Sequence, residues 1–381
     1  MRRPRLLLSA RDPAGAAQLR AVLPALHASR RFTVRVVASE PALDMLDAAG
    51  ESPTAFSLPG GASHVAAEAD AAPLLAAAAR LVRELEPDAL LVGVSSLGFG
   101  LDEALLAAAR DRPTFALQDY PGDASAIGGA YASLYFVRDD AAARLTRARF
   151  GAPARPVGSL RHATYATLDV PALRAATRER LAVRDGRAVV GFFAQPAVIP
   201  GQRAAFEHLV AALAEVAPDA LVVLREHPKS PEEARTRLAV LRAAGLEAYD
   251  ASLADDVEPW LAACDVVTTC FSHTSIDYAF LSAQCLRPLG AVVFLLSAPA
   301  TRSFMREAGP ATPDGVDAGL GLCADSPAEV PRLLRAALGE EARRAYHAAS
   351  RRLPARADIN AIIRTVAEAA EARRRRVRAP R

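Results

Sequence analysis

Leu221-Val-Val-Leu-Arg-Glu-His-Pro-Lys-Ser230 sets how the rest of the chain is read. Its apolar run fits a strand buried on both faces of a parallel sheet, and Ser230-Pro-Glu-Glu233 behind it fits a helix start. The short loop between them carries Arg225, His227 and Lys229, the last being the only lysine in the sequence. Open α/β sheets bind ligands at the carboxyl ends of their strands, so this rim loop reads either as an anion site or as a solvated surface turn.

The pattern repeats on both sides. Downstream, Val266 to Thr269 reads as a strand that delivers Phe271-Ser272-His273-Thr274-Ser275 to a helix start, with Asp277 in its first turn. Upstream, Ala188 to Ala194 reads as a strand leading to Gln195-Pro196 and a helix from about residue 202 to 216. Three rim turns, at 195, 227 and 272, would therefore share one edge with helix amides facing inward. His273 and Ser275 also have a purely structural reading as helix caps.

An earlier winding opens the chain. Arg5 to Ser9 reads as a strand, Ala10-Arg11-Asp12-Pro13-Ala14-Gly15 as a small-residue turn, and the next stretch as a helix to about Arg30. The turn lacks GxGxxG, which argues against a dinucleotide clamp. A helix is expected from about Val65 to Leu85. Ala89 to Val94 then presents Ser95, Ser96 and Gly98 at the rim, as ligand contacts or as an N-cap. Thr114 to Gln118 ends in the unpatterned loop Gln118-Asp119-Tyr120-Pro121-Gly122-Asp123.

The expected architecture is α/β: two Rossmann-like doubly wound domains facing a central cleft. Residues 1–160 form the N-terminal acceptor domain, 161–186 a helical, arginine-rich linker, and 187–345 the C-terminal nucleotide-donor domain. Residues 346–381 form a terminal helix, with a basic tail, that packs back on the N-terminal domain.

Composition narrows the function. The chain has 381 residues, 51% hydrophobic and 23% charged, enough to bury sizeable cores. Net charge is only +3 and aromatics are 6%, which excludes a broad nucleic-acid face. Positive charge gathers at Arg2, Arg3 and Arg5 and again from Arg373 to Arg376, read as a frayed solvated helix with at most peripheral contact to anionic lipid. Cys264, Cys270, Cys285 and Cys323 match no metal spacing and read as reduced thiols of a cytoplasmic protein.

With these turns in view, the chain resembles the two-domain glycosyltransferase fold GT-B. Gln195-Pro196, His227-Pro228 and the Ser272 to Ser275 turn resemble the Gln-Pro, His-Pro and Ser-Ser/Thr motifs of bacterial capsule enzymes. That group includes sialyl- and Kdo transferases, which use CMP-sugars, and has cousins in the CDP-glycerol transferases. The resemblance implies that His227 contacts the nucleotide phosphate and that Ser272 and Ser275 complete the pocket. Asp12-Pro13-Ala14-Gly15, the stretch from Pro87 to Ser96, and Pro156-Val-Gly158 are similar to polysaccharide-cluster relatives of the UDP-GlcNAc 2-epimerases. Clear matches to the epimerase acid and base carboxylates are missing, and Gln118-Asp119-Tyr120 stands where many relatives carry a histidine.

The expected chemistry is transfer of a sugar from a nucleotide-activated donor to a glycan or small-molecule acceptor. The nucleotide sugar is a co-substrate; no cofactor or metal is expected. Helix N-termini with Lys229 and His227 would stabilise the leaving phosphate, beside Gln195, Arg225, Ser272, His273, Thr274 and Ser275. Asp12, then Asp119, is the expected general base, and Gly15, Ser95 and Ser96 would line the acceptor side. Both aspartates also read as caps. A 2-epimerase or hydrolase on the same scaffold, and a non-catalytic nucleotide-sugar-binding protein, are the competing readings.

Overall fold

A computed structural model of the chain describes residues 2–58, 61–94, 98–228, 230–254, 256–308, 312–354 and 356–378. It divides into two compact units, Met1–Thr164 with Arg356–Arg381, and Tyr165–Ala355.

The first unit holds strands β1 (Arg5–Ala10), β2 (Thr33–Ala38), β3 (Thr54–Ala55), β4 (His64–Val65), β5 (Ala89–Gly93), β6 (Phe99–Gly100), β7 (Thr114–Leu117), β8 (Leu134–Val137) and β9 (Ala154–Pro156). Seven of them form a sheet in the order β3-β2-β1-β5-β7-β8-β9, while β4 and β6 pair separately and antiparallel. Every neighbour in the large sheet runs parallel. The centre of β1, Leu6-Leu7-Leu8, is at most 1% exposed, as expected of a strand covered on both faces. Full burial of each such leucine is worth about 1.5–3 kcal/mol.

The order reverses between β1 and β5, and two glycines make that junction possible. A Cβ on Gly93, at the end of β5, would lie 2.8 Å from the Cα of Gly15 in the helix Pro13–Ser29. The first turn of that helix therefore lies directly on the strand next door.

The expected helix from Val65 is shorter than the composition suggests. It begins at Ala72, with a proline in its first turn, after β4 and a single 3-10 turn over Glu68–Asp70. Proline fits the start of a helix because its missing N–H has no partner to lose there. The terminal helix Ile359–Arg378 belongs to the first unit. Ile362, Ile363, Val366, Ala367 and Ala370 recur at helical spacing and join the core that contains Leu6 and Leu8. Arg155 Nη1 donates to Thr365 Oγ1 at 2.8 Å and fastens the helix to β9.

The second unit repeats the design with β10 (Val189–Phe193), β11 (Leu221–Arg225), β12 (Glu247–Asp250), β13 (Val266–Thr269), β14 (Ala291–Leu295) and β15 (Leu322–Ala324). Their order, β12-β11-β10-β13-β14-β15, is again wholly parallel and reverses between β10 and β13. This is the doubly wound order with one switch point.

Two arginines of residues 161–186 are engaged in this unit. Arg174 and Arg178, on the helix Val170–Arg180, reach Asp265 at 2.7 and 3.1 Å, and Asp265 also accepts from the Val189 amide at 2.8 Å. Cys264, Cys270 and Cys285 are buried and unpaired, and burial pushes their thiols above the ordinary range. Among the described residues no helix is long and apolar enough to cross a membrane.

Candidate functional site

The switch point of the second sheet is closed by one side chain. Gln195 follows β10 and is buried; its Oε1 accepts the backbone N–H of Phe271, beyond β13, at 3.2 Å. Its own N–H donates to Gln202 Oε1 at 3.1 Å, and Gln202 Nε2 returns bonds to the carbonyls of Gln195 and Pro196 at 3.0 and 2.8 Å. Ser230 Oγ accepts from the Ala197 amide at 3.1 Å, which ties the turn after β11 to the turn after β10. The turns at 195, 227 and 272 thus form one hydrogen-bonded group along the carboxyl edge of the sheet.

Within the last turn much of the polar capacity is used locally. Ser275 is buried, with its hydroxyl donated to the Ser272 carbonyl at 2.8 Å. The Ser272 amide donates to Thr269 Oγ1 at 3.2 Å, and the amides of Ser275 and Ile276 donate to the carbonyls of Ser272 and His273 at 3.2 and 2.9 Å. The Thr274 amide has a longer contact, 3.4 Å to Ser272 Oγ, and Thr274 Oγ1 is buried with no hydrogen-bond partner among the described residues. His273 Nε2 lies 3.3 Å from Asp314 Oδ2. All of this stands at the positive end of the helix Thr274–Ala283.

Two charged residues beside this group are turned inward. Arg225 is buried and donates through Nη1 to the Ala251 carbonyl at 2.9 Å, pinning the end of edge strand β12. Glu226 is buried next to it, 3.4 Å from Arg237 Nη1; burial pushes its carboxyl up to about 7, with Arg237 opposing the rise. The Glu226 amide donates to Ser252 Oγ at 3.0 Å. His227, half-buried, follows directly.

The corresponding edge of the first unit is acidic. Asp12 caps the helix Pro13–Ser29, its Oδ1 accepting the Gly15 amide at 2.8 Å. Gln18, one turn along that helix, donates to Asp119 Oδ1 at 3.3 Å, and Arg161 Nη1 lies 3.8 Å from Asp119 Oδ2. Gln118 holds the loop that follows, donating to the Asp123 carbonyl at 2.8 Å and to Thr146 Oγ1 at 3.0 Å.

Asp123 is pushed up to about 6 by burial, against Arg149 and with Glu103, Asp119 and Asp12 adding to the rise. Deeper in, Ser9 Oγ donates to Asp102 Oδ1, and burial together with Glu103 holds the Asp102 carboxyl well above the usual range. Glu103 accepts from the Gly100 amide at 2.8 Å and from Ser125 Oγ at 2.6 Å, with Arg11 Nη2 at 3.6 Å.

Comparison with solved structures places this architecture. The UDP-GlcNAc 2-epimerase of Neisseria meningitidis, solved with UDP-GlcNAc, matches at TM-score 0.70 and 11% identity over 96% of this chain and 100% of that one. Acinetobacter baumannii MurG matches at 0.61 and 14%, over 96% and 100%. Anabaena HepE, solved with UDP and glucose, matches at 0.57 and 17%, over 97% and 100%. The fold is GT-B. No protein-family model and no curated protein matches the sequence.

Within this GT-B chain the residues singled out by sequence fall into distinct roles. Gln195, Ser272 and Ser275 build the joined turns, and His227, His273 and Thr274 stand on them. Arg225 is a buried strut to β12. Gly15, in the first turn of its helix, is buried against Gly93 and Ala10. Lys229, Ser95 and Ser96 lie outside the described residues. Sequence reading missed Gln202, Ser230, Glu226, Arg237, Asp314 and Asp123. Glu226 adjoins His227 in the stretch first quoted, but only its burial against Arg237 distinguishes it from a surface glutamate.

Proposed function

We propose that the chain is an enzyme acting on a nucleotide sugar, with the nucleotide held on the second unit, and that it transfers the sugar to an acceptor hydroxyl. The observation that carries this reading is the bonding of the three turns into one edge around the β10–β13 switch point, where doubly wound sheets bind ligands. The neighbouring structures solved with UDP or UDP-GlcNAc support a nucleoside diphosphate as the leaving group.

In the step itself the acceptor oxygen forms a bond to the anomeric carbon as the carbon–oxygen bond to phosphate breaks. The electron pair leaves with the diphosphate. The Thr274 amide and hydroxyl, the Ser272 hydroxyl, the helix dipole, His227 and Lys229 are the groups that stabilise that charge. The acceptor proton passes to a carboxylate. Asp12 spends Oδ1 on the Gly15 amide and Asp119 accepts from Gln18 beside Arg161, so both aspartates are candidates for this role and Asp119, which caps no helix, is the one tested first.

One observation favours a second reading, a nucleotide-sugar 2-epimerase or hydrolase. Burial raises the carboxyls of Asp102 and Asp123 above the ordinary range beside other carboxyls, a combination that acid–base work at a sugar ring uses. Incubating the protein with UDP-, CMP-, GDP- and CDP-activated sugars separates the readings. Nucleotide release that depends on an added acceptor supports transfer, and acceptor-independent conversion supports the second reading. Binding without turnover overturns both in favour of a non-catalytic nucleotide-sugar-binding protein.

A further inference from the structure

The arginines at the two ends of the sequence are brought together in the structure. The terminal helix continues unbroken through them, and Arg373 and Arg374 are only 19% and 17% exposed. Arg374 Nη1 donates to the Arg2 carbonyl, which fixes the N-terminal arm against the helix. Arg2, Arg3, Arg5, Asp88, Arg373, Arg374 and Val377 line a cavity of about 190 Å³.

Five arginines therefore line one cavity with a single aspartate. Asp88 is held mainly by the Arg5 amide, at 2.8 Å, and its ion pairs to Arg373 and Arg374 are loose, both 3.9 Å. The other acids nearby are already matched: Glu86 to Arg5 at 2.7 Å, and Asp111 to Arg373 at 3.2 Å and to Arg112 at 3.2 Å. Arg373 Nε is buried with no hydrogen-bond partner among the described residues. Gathering this much like charge costs energy unless a counter-anion is present, and guanidinium forks suit the oxygens of phosphate.

The position separates this cavity from the candidate site. Arg5 opens β1 and Asp88 immediately precedes β5, so the cavity lies at the amino ends of the strands. Asp12 and Asp119 stand at their carboxyl ends.

We propose that this cavity is a second anion site, one that takes a phosphate group, carried either by a small soluble compound or by a lipid headgroup. Val377, 69% exposed at its rim, suits the headgroup source, and the cavity volume accommodates either.

The test uses the full chain and two probes at low ionic strength. One is sodium pyrophosphate, titrated calorimetrically. The other is co-sedimentation with phosphatidylglycerol–phosphatidylcholine vesicles, set against pure phosphatidylcholine. Each is repeated with the double variant Arg2→Ser/Arg3→Ser, on the exposed arm where folding is not at stake, and with Arg374→Gln. Only the component of binding lost in the variants is counted, so that an anion held elsewhere does not enter.

The expected result is binding that weakens with added salt and falls at least tenfold in the double variant, with the unliganded melting temperature unchanged. Pyrophosphate binding alone assigns the soluble source, and retention on the anionic vesicles assigns the headgroup. If neither probe binds, or the variants bind as the wild type does, the proposal is wrong.

Discussion

The two units share a strand order around their switch points yet differ in the chemistry of their carboxyl edges. In the second unit the edge is built from amides and hydroxyls knitted together by Gln195, Gln202 and Ser230, with charged Arg225 and Glu226 withdrawn into the protein. In the first, the edge is a set of carboxyls, Asp12, Asp102, Glu103, Asp119 and Asp123, two of which burial pushes toward their neutral forms. Under the proposed function the edge of the second unit would receive negative charge and that of the first would receive protons. The contrast teaches that topology fixes where a ligand binds while the residues after each strand decide what it can be.

The comparison breaks most visibly if the proton-accepting role is misplaced. Asp119→Asn should lower turnover by about 100- to 10,000-fold, the usual reach of general base catalysis, and leave UDP affinity unchanged. Steady-state rates beside a UDP titration check this; a loss of UDP affinity with turnover retained would reverse the assignment of the two edges.

Next in size is the nucleotide itself. At about 100 times its dissociation constant, UDP should stabilise the folded chain by roughly 2.7 kcal/mol, seen as a rise in Tm. His227→Ala should remove that rise without lowering the melting temperature of the unliganded protein.

Gln195→Ala sharpens the claim that the edge is one bonded unit. It leaves the Phe271 amide without its acceptor, and such an orphan costs about 1–3 kcal/mol. Urea unfolding should register that loss, and UDP affinity should fall with it.

The smallest effect is in pH. Asp123, raised to about 6, binds its proton more tightly folded than unfolded. Its contribution to stability is therefore fully present below the ordinary carboxylate range and is lost as pH rises through about 6. Glu226 has the same sign with its window reaching about 7. Asp123→Asn should flatten the lower part of that slope in urea midpoints measured across it, and Glu226→Gln the upper part.

Much of the fold could be read directly from the sequence because parallel strands buried on both faces leave unbroken apolar runs. Leu221 to Arg225 is the strand that the run suggests, and β1 extends only one residue beyond its expected end. The rim turns were legible for the same reason, since each begins where such a run stops. What escaped was side-chain direction. Arg225 reads as a ligand group, and nothing local shows that its guanidinium also reaches Ala251, 26 residues away. Gln195 reads as a ligand contact, and the sequence gives no sign that its Oε1 also accepts the Phe271 amide. The terminal arginines looked solvated because nothing local shows that residues 2 and 374 meet.

The central claim is that the joined turns of the second unit hold the phosphates of the nucleotide, and a crystal structure of the chain with UDP tests it most directly. The diphosphate should lie against residues 272–275, with the Thr274 amide and the His227 ring within hydrogen-bond distance. UDP seated on the carboxyl edge of the first unit, or bound with those turns left untouched, would contradict the account.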